Sequence, residues 1–140
     1  MRGTEHLAEA TRKGRLVVKI CGITSPADAR VAVEAGADAL GFVFWFMSPR
    51  KVDPVRAAAI ARDLPESVLR VGVFVDAPPD EMKGVADAVG LDLLQLHGAL
   101  GRDLQRTCPG AGIGIGLRHG DSCCRGHHGR HQHQGTRPFP

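Results

Sequence analysis

The chain has 140 residues, 43% hydrophobic and 24% charged, with a formal net charge of +3, the balance of one soluble globular domain. No apolar run approaches the roughly 18 residues of a membrane span. Residues 1–15, with Glu5, Glu9, Arg12, Lys13 and Arg15, lack the apolar centre of a secretory signal and are expected to form a flexible extension of a cytoplasmic protein. The length also falls short of the roughly 200 residues that a closed eight-stranded α/β barrel takes.

The composition divides the chain near residue 100. Residues 101–140 hold six Arg, no Lys and two Asp, together with nine of the 18 Gly, three of the four Cys and five of the seven His. The expected organisation is therefore an extension over 1–15, a folded domain over 16–100 and a basic tail over 101–140.

Within the domain, four apolar runs at Leu16–Ile20, Ala39–Phe46, Val68–Val75 and Leu91–Leu96 read as strands. Helix signals fill the gaps. Ser25 is an N-cap followed by Pro26, with Asp28 completing a Ser-x-x-Asp pattern and Gly36 suited to a left-handed stop. Asp53 and Pro54 open a second helix that Pro65 forbids from passing Leu64. A third follows Pro78 and Pro79, carries Asp80 and Glu81 in its first turn and stops at Gly90. This alternation of four strands with three helices predicts parallel βα units. Periodicity alone leaves two architectures open, part of a barrel or a doubly wound sheet, and both put ligand chemistry at the carboxyl ends of the strands.

The residues at those ends are Cys21 and Gly22, Met47 to Lys51, Asp76, and His97 with Gly98. Strand alternation puts Lys19 and Cys21 on one face, where a cation stabilises the thiolate form that a base or nucleophile needs; the alternative is a small buried cysteine with its lysine in solvent. Arg50, in Ser48-Pro49-Arg50-Lys51, offers a planar fork for a carboxylate or phosphate, or is a solvated cation. Gln95 and His97 share a face, where the histidine could orient a ligand or be structural. Asp76 reads as a turn former or a loop acceptor.

In combination, Lys19-Ile20-Cys21-Gly22-Ile23-Thr24, the stretch from Glu34 to Phe44, Ser48-Pro49-Arg50, the stretch from Val71 to Val75, and Leu94-Gln95-Leu96-His97-Gly98 resemble the phosphoribosylanthranilate isomerase family of tryptophan biosynthesis, over about residues 16–98. The resemblance implies an α/β fold of about four βα units, a partial (β/α)8 TIM barrel. It implies an intramolecular oxidoreductase that converts an aminoaldose to an aminoketose without cofactor or metal. By the same resemblance Cys21 is the general base, Arg50 binds the anthranilate carboxylate, and Gln95 and His97 line the substrate site. The family's general acid is an aspartate at the end of a later strand, and its phosphate loops follow the seventh and eighth strands; residues 101–140 supply no matching element.

The tail reads as disordered from about residue 107, and its crowding of Arg, Gly, Pro and His suggests a shifted reading frame. Asp121 has no preceding strand, and the glycines from Gly112 to Gly116 have no strand feeding them. A zinc site among Cys108, Cys123, Cys124 and the histidines lacks a Cys-x2–4-Cys pair, and the arginines lack the aromatic partners of a nucleic-acid surface. An isomerase of low or no activity is thus set against a non-catalytic fragment or interaction module with a basic His/Cys-rich tail. Half a barrel should also leave its first and fourth strands unpaired and one apolar face open, conditions for self-association through strand edges.

Overall fold

The computed structural model describes residues 3–99 and 114–116. In chain order the elements are α1 (Gly3–Arg12), β1 (Lys19–Cys21), α2 (Pro26–Glu34), β2 (Ala39–Val43), α3 (Pro54–Arg62), β3 (Leu69–Val75), α4 (Pro79–Val89), β4 (Leu93–His97) and β5 (Gly114–Gly116).

The capping chemistry starts and stops the helices. Ser25 Oγ accepts from Asp28 N at 3.1 Å, and Asp53 Oδ1 accepts from Arg56 N at 2.9 Å, satisfying first-turn donors that have no intrahelical partner. Gly90 ends α4 with φ 75°, a left-handed conformation that glycine takes without strain.

Strand order decides between the two architectures. β1 to β4 lie side by side in sequence order, each parallel to the next. A doubly wound sheet reverses direction partway, whereas a barrel adds each new strand to the same side. The four βα units therefore form a partial TIM barrel.

Parallel register gives each face of this sheet its own composition. The helix-facing side carries Leu40, Phe42 and Phe74, all essentially inaccessible to solvent, and each stabilises the fold by about 1.5–3 kcal/mol through burial. They pack with Ala57, Ile60 and Ala61 of α3 and with Met82, Ala86 and Val89 of α4, and Phe44 stacks on Phe74 with ring centroids 5.2 Å apart. The opposite face holds the smaller cluster of Ala39, Leu69 and Val71.

Arg70 points to the helix side, yet it is satisfied there. Its Nε donates to Ala61 O at 3.0 Å, its Nη2 to Leu64 O at 3.0 Å and its Nη1 to Val68 O at 3.4 Å, acceptors in the last turn of α3 and the connection from α3 to β3.

Several expectations are corrected. The extension over 1–15 contains a helix, α1, with Ala10 buried and a Glu9–Lys13 ion pair of 2.7 Å at helical spacing. Strand β1 begins at Lys19 rather than Leu16, because Val18 N is taken by the buried Asp38 carboxylate at 2.9 Å. Asp38 also holds Arg15 Nη2 at 2.6 Å, and that hydrogen bond raises the Arg15 guanidinium above its ordinary range. The second run leaves the sheet after Val43: Ser48 N donates to Trp45 O in a turn and Val52 N returns to Val43 O, which puts Trp45 and Phe46 on the surface.

The edges differ from expectation as well. β4 is not unpaired, because β5 runs antiparallel beside it, Leu94 opposite Ile115; this strand lies within the segment expected to be disordered. Ala39, Leu69 and Val71 are buried, so the face expected to be open is closed at these residues, and the apolar side chains that remain exposed include Leu16, Val17 and Val18 ahead of β1 and Ile20 within it. The remaining tail expectations, including Cys108, Cys123, Cys124, Asp121 and the histidines, lie outside the described residues. Among the described residues no helix is long and apolar enough to cross a membrane.

Candidate active site

Cys21, Gln95 and His97 are brought to one face by the register of the sheet. Lys19 pairs with Ala39, Cys21 with Gly41, and Gly41 with Val71. Val71 pairs with Leu93, Val73 with Gln95, and Val75 with His97. Paired positions of parallel strands point to the same side, so Lys19, Cys21, Gln95 and His97 all look away from the helices.

That face is concave. Lys19 Nζ of β1 donates to Gln95 Oε1 of β4, although three strand spacings of about 4.8 Å would hold flat strands roughly 14 Å apart. Only a sheet curling as a barrel wall does brings them together. Gln95 Nε2 in turn meets His97 Nε2 at 2.9 Å. The Lys19 ammonium, read from alternation as a neighbour of the thiol, is therefore engaged by Gln95.

Cys21 is an exposed, free thiol at the carboxyl end of β1. Its sulfur occupies space that a glycine leaves: a Cβ at Gly41 would stand 2.7 Å from Cys21 Sγ. Gly22 follows with φ 88°, and a Cβ there would lie 2.7 Å from Arg50 Cδ. Arg50 thus lies over the backbone next to the thiol. Its loop is held by Arg50 N donating to Ser48 Oγ at 3.2 Å and Lys51 Nζ donating to Phe46 O at 3.1 Å.

Asp76 has φ 48°, unusual for a residue with a side chain. Its N donates to His97 O at 3.2 Å, and its carboxylate packs against Gly98, whose own φ is 92°. It shapes the end of β4 rather than merely opening a turn.

Sequence reasoning named Cys21, Gly22, Arg50, Gln95 and His97 but did not single out Gly41. The signal for Gly41 was present, since a glycine inside a strand often marks close approach by another group. The partnership of Lys19 with Gln95 had no local signal, because 76 residues separate them.

A cavity of about 290 Å3, lined by Arg15, Val33, Asp38, Pro65 and Ser67, lies toward the amino ends of β2 and β3. It contains none of these residues. Among the described residues no three His, Cys, Asp or Glu side chains are grouped to hold a metal ion.

Comparison with known proteins gives this geometry a family. A profile described as N-(5'phosphoribosyl)anthranilate (PRA) isomerase matches residues 18–136. The chain belongs to that isomerase family. An N-(5'-phosphoribosyl)anthranilate isomerase from Rubrobacter xylanophilus is 55% identical over 98 residues, 70% of this chain and 48% of the relative. One from Geobacter sp. strain M21 is 62% identical over 81 residues, 58% of this chain and 40% of the relative. The phosphoribosyl anthranilate isomerase structure from Thermotoga maritima superposes with a TM-score of 0.62 at 48% identity, covering 66% of this chain and 45% of that one. A family structure in complex with reduced 1-(o-carboxyphenylamino)-1-deoxyribulose 5-phosphate has a TM-score of 0.62 at 48% identity, covering 66% of this chain and 47% of that one. The chain spans about half the length of the curated relatives it matches.

Proposed function

We propose that the chain carries the base and carboxylate-binding part of a site for isomerising N-(5-phosphoribosyl)anthranilate, a step of tryptophan biosynthesis. The observation that supports this reading is that exposed Cys21, with Arg50 over the adjacent Gly22, shares one sheet face with Gln95 and His97, in a chain of this family. The related structure bound to the reduced deoxyribulose phosphate compound supports a ligand of the same class.

The chemistry is an Amadori rearrangement. Once the ribose ring is open as a Schiff base, the thiolate of Cys21 removes the C2′ proton. The electron pair of the broken C–H bond forms a C1′–C2′ double bond while the C=N pair moves onto nitrogen. The resulting enolamine tautomerises to the ketone, so no external oxidant, reductant or cofactor enters. Arg50 holds the anthranilate carboxylate with its planar fork, and that pairing fixes the substrate as well as attracting it. Gln95 and His97 bind along the sugar.

The general acid and the phosphate loops belong to later βα units in the family, outside the four described. In this reading the partner is a phosphorylated small molecule rather than nucleic acid or a membrane, the compartment is the cytoplasm, and self-association runs through the β1 edge. A fluorescence assay of substrate consumption, run beside Cys21→Ala, tests the reading. The expected result is slow turnover that falls about 100-fold or more without the thiol, the scale of a lost general base. Equal turnover by the two proteins removes Cys21 from the role.

A further inference from the structure

We propose that Lys19 is a positioning residue that selects the tautomer of His97 through Gln95. The inference rests on the isomerase reading only in taking His97 as a residue that meets the ligand.

An ammonium has three donors and no acceptor. Whatever Lys19 Nζ meets on the Gln95 amide must therefore be its oxygen, and Oε1 is the atom it contacts. This fixes the amide the other way round: its NH2 group faces His97 Nε2 at 2.9 Å. An amide NH2 can only donate, so that ring nitrogen must accept. The neutral imidazole then carries its proton on Nδ1. Without the lysine, the Gln95 amide can rotate by half a turn and offer its oxygen to an Nε2–H. Both ring tautomers would then be satisfied, so the cation three strands away makes the choice.

The choice has a chemical consequence. A ring nitrogen that already accepts from Gln95 is not open to take a proton from a substrate, and the other nitrogen is a donor. His97, which is exposed, then offers an N–H to a ligand oxygen and leaves proton abstraction to Cys21. The Lys19–Gln95–His97 chain thereby separates an orienting residue from the base on the same concave face.

The test is long-range 1H–15N correlation of the imidazoles in the full chain labelled with 15N-histidine, under conditions where imidazoles are neutral. Loss of one signal set in His97→Asn assigns the residue among the seven histidines. The parent chain should show a protonated Nδ1 and an unprotonated Nε2. Lys19→Met should shift the population toward Nε2–H, and Lys19→Arg, which restores a cationic donor, should keep the parent form. Gln95→Glu provides a second route: a carboxylate can bind Lys19 but cannot donate to the ring, so Nε2 should become protonated.

An Nε2–H form in the parent overturns the proposal. So does an unchanged tautomer in a Lys19→Met protein whose backbone amide spectrum is preserved. If Lys19→Met fails to fold, Gln95→Glu decides, and retention of the parent tautomer there is equally fatal. None of these readouts uses turnover. A correct tautomer with no effect of Cys21→Ala on isomerisation would remove the proposed function and leave this inference standing, and the reverse pattern would do the opposite.

Discussion

The two faces of the four-stranded sheet are made of different materials and have different tolerances. On the helix side, large side chains such as Leu40, Phe42 and Phe74 are fully buried and leave little room for chemistry. On the concave side, small residues such as Ala39 and Gly41 stand directly beside Lys19 and Cys21 of the neighbouring strand, and polar side chains meet across the curve. A strand that alternates its side chains can serve both purposes at once, because a change on one face need not alter the other. The lesson is that fold and function here are separable by the parity of strand position.

That separation can be broken from either side, and the largest effect should come from the buried face. Phe74→Ala removes a fully buried ring that stacks on Phe44 and should cost about 3–5 kcal/mol in chemical denaturation, the scale of a large-to-small core change. Asp38→Ala follows. It strands Val18 N and releases Arg15 from a carboxylate that is 6% exposed, and about 1–3 kcal/mol of loss is expected from the same measurement.

Gly41→Ala acts on the concave face. Its added methyl would lie 2.7 Å from Cys21 Sγ, so the thiol must move. A stability loss of about 1–3 kcal/mol, the usual cost of overpacking, should accompany a changed iodoacetamide alkylation rate at Cys21, read by peptide mapping. An unchanged alkylation rate would show that the glycine does not set the position of the thiol.

The smallest effect belongs to the solvent side of α4, where the hydrogen bond from Lys83 to Asp87 raises the Lys83 ammonium above its ordinary value of 10.5. A raised folded-state value means that the pair's contribution is fully present below 10.5 and fades as pH rises through the higher value. The difference in melting temperature between the parent and Lys83→Met should be slight at neutral pH and close in strong alkali.

Much of this was legible in the chain because the signals were local. Ser25 and Asp53 announced helix starts by side-chain chemistry that acts within three residues, and both caps form. Alternation put Lys19 with Cys21 and Gln95 with His97. What could not be read depended on distance or on competition. The order of strands, which separates a barrel from a doubly wound sheet, is a property of long-range pairing. The diversion of Val18 N to Asp38 shortened β1, and the turn at Ser48 brought Trp45 and Phe46 to the surface, outcomes that hydrophobic pattern alone predicts the other way. The role of Arg70 at the end of α3 was hidden for the same reason, since its acceptors are set by how the helix packs.

The most direct test of the central claim is titration of the reduced 1-(o-carboxyphenylamino)-1-deoxyribulose 5-phosphate compound into 15N-labelled protein, followed by amide and side-chain shifts. The concave-face account predicts saturable shifts at Cys21, Gly22, Arg50, Gln95 and His97, with the Arg50 response lost in Arg50→Met. Saturable shifts confined to the helix-facing residues, or none at the carboxyl ends of β1 and β4, would contradict it.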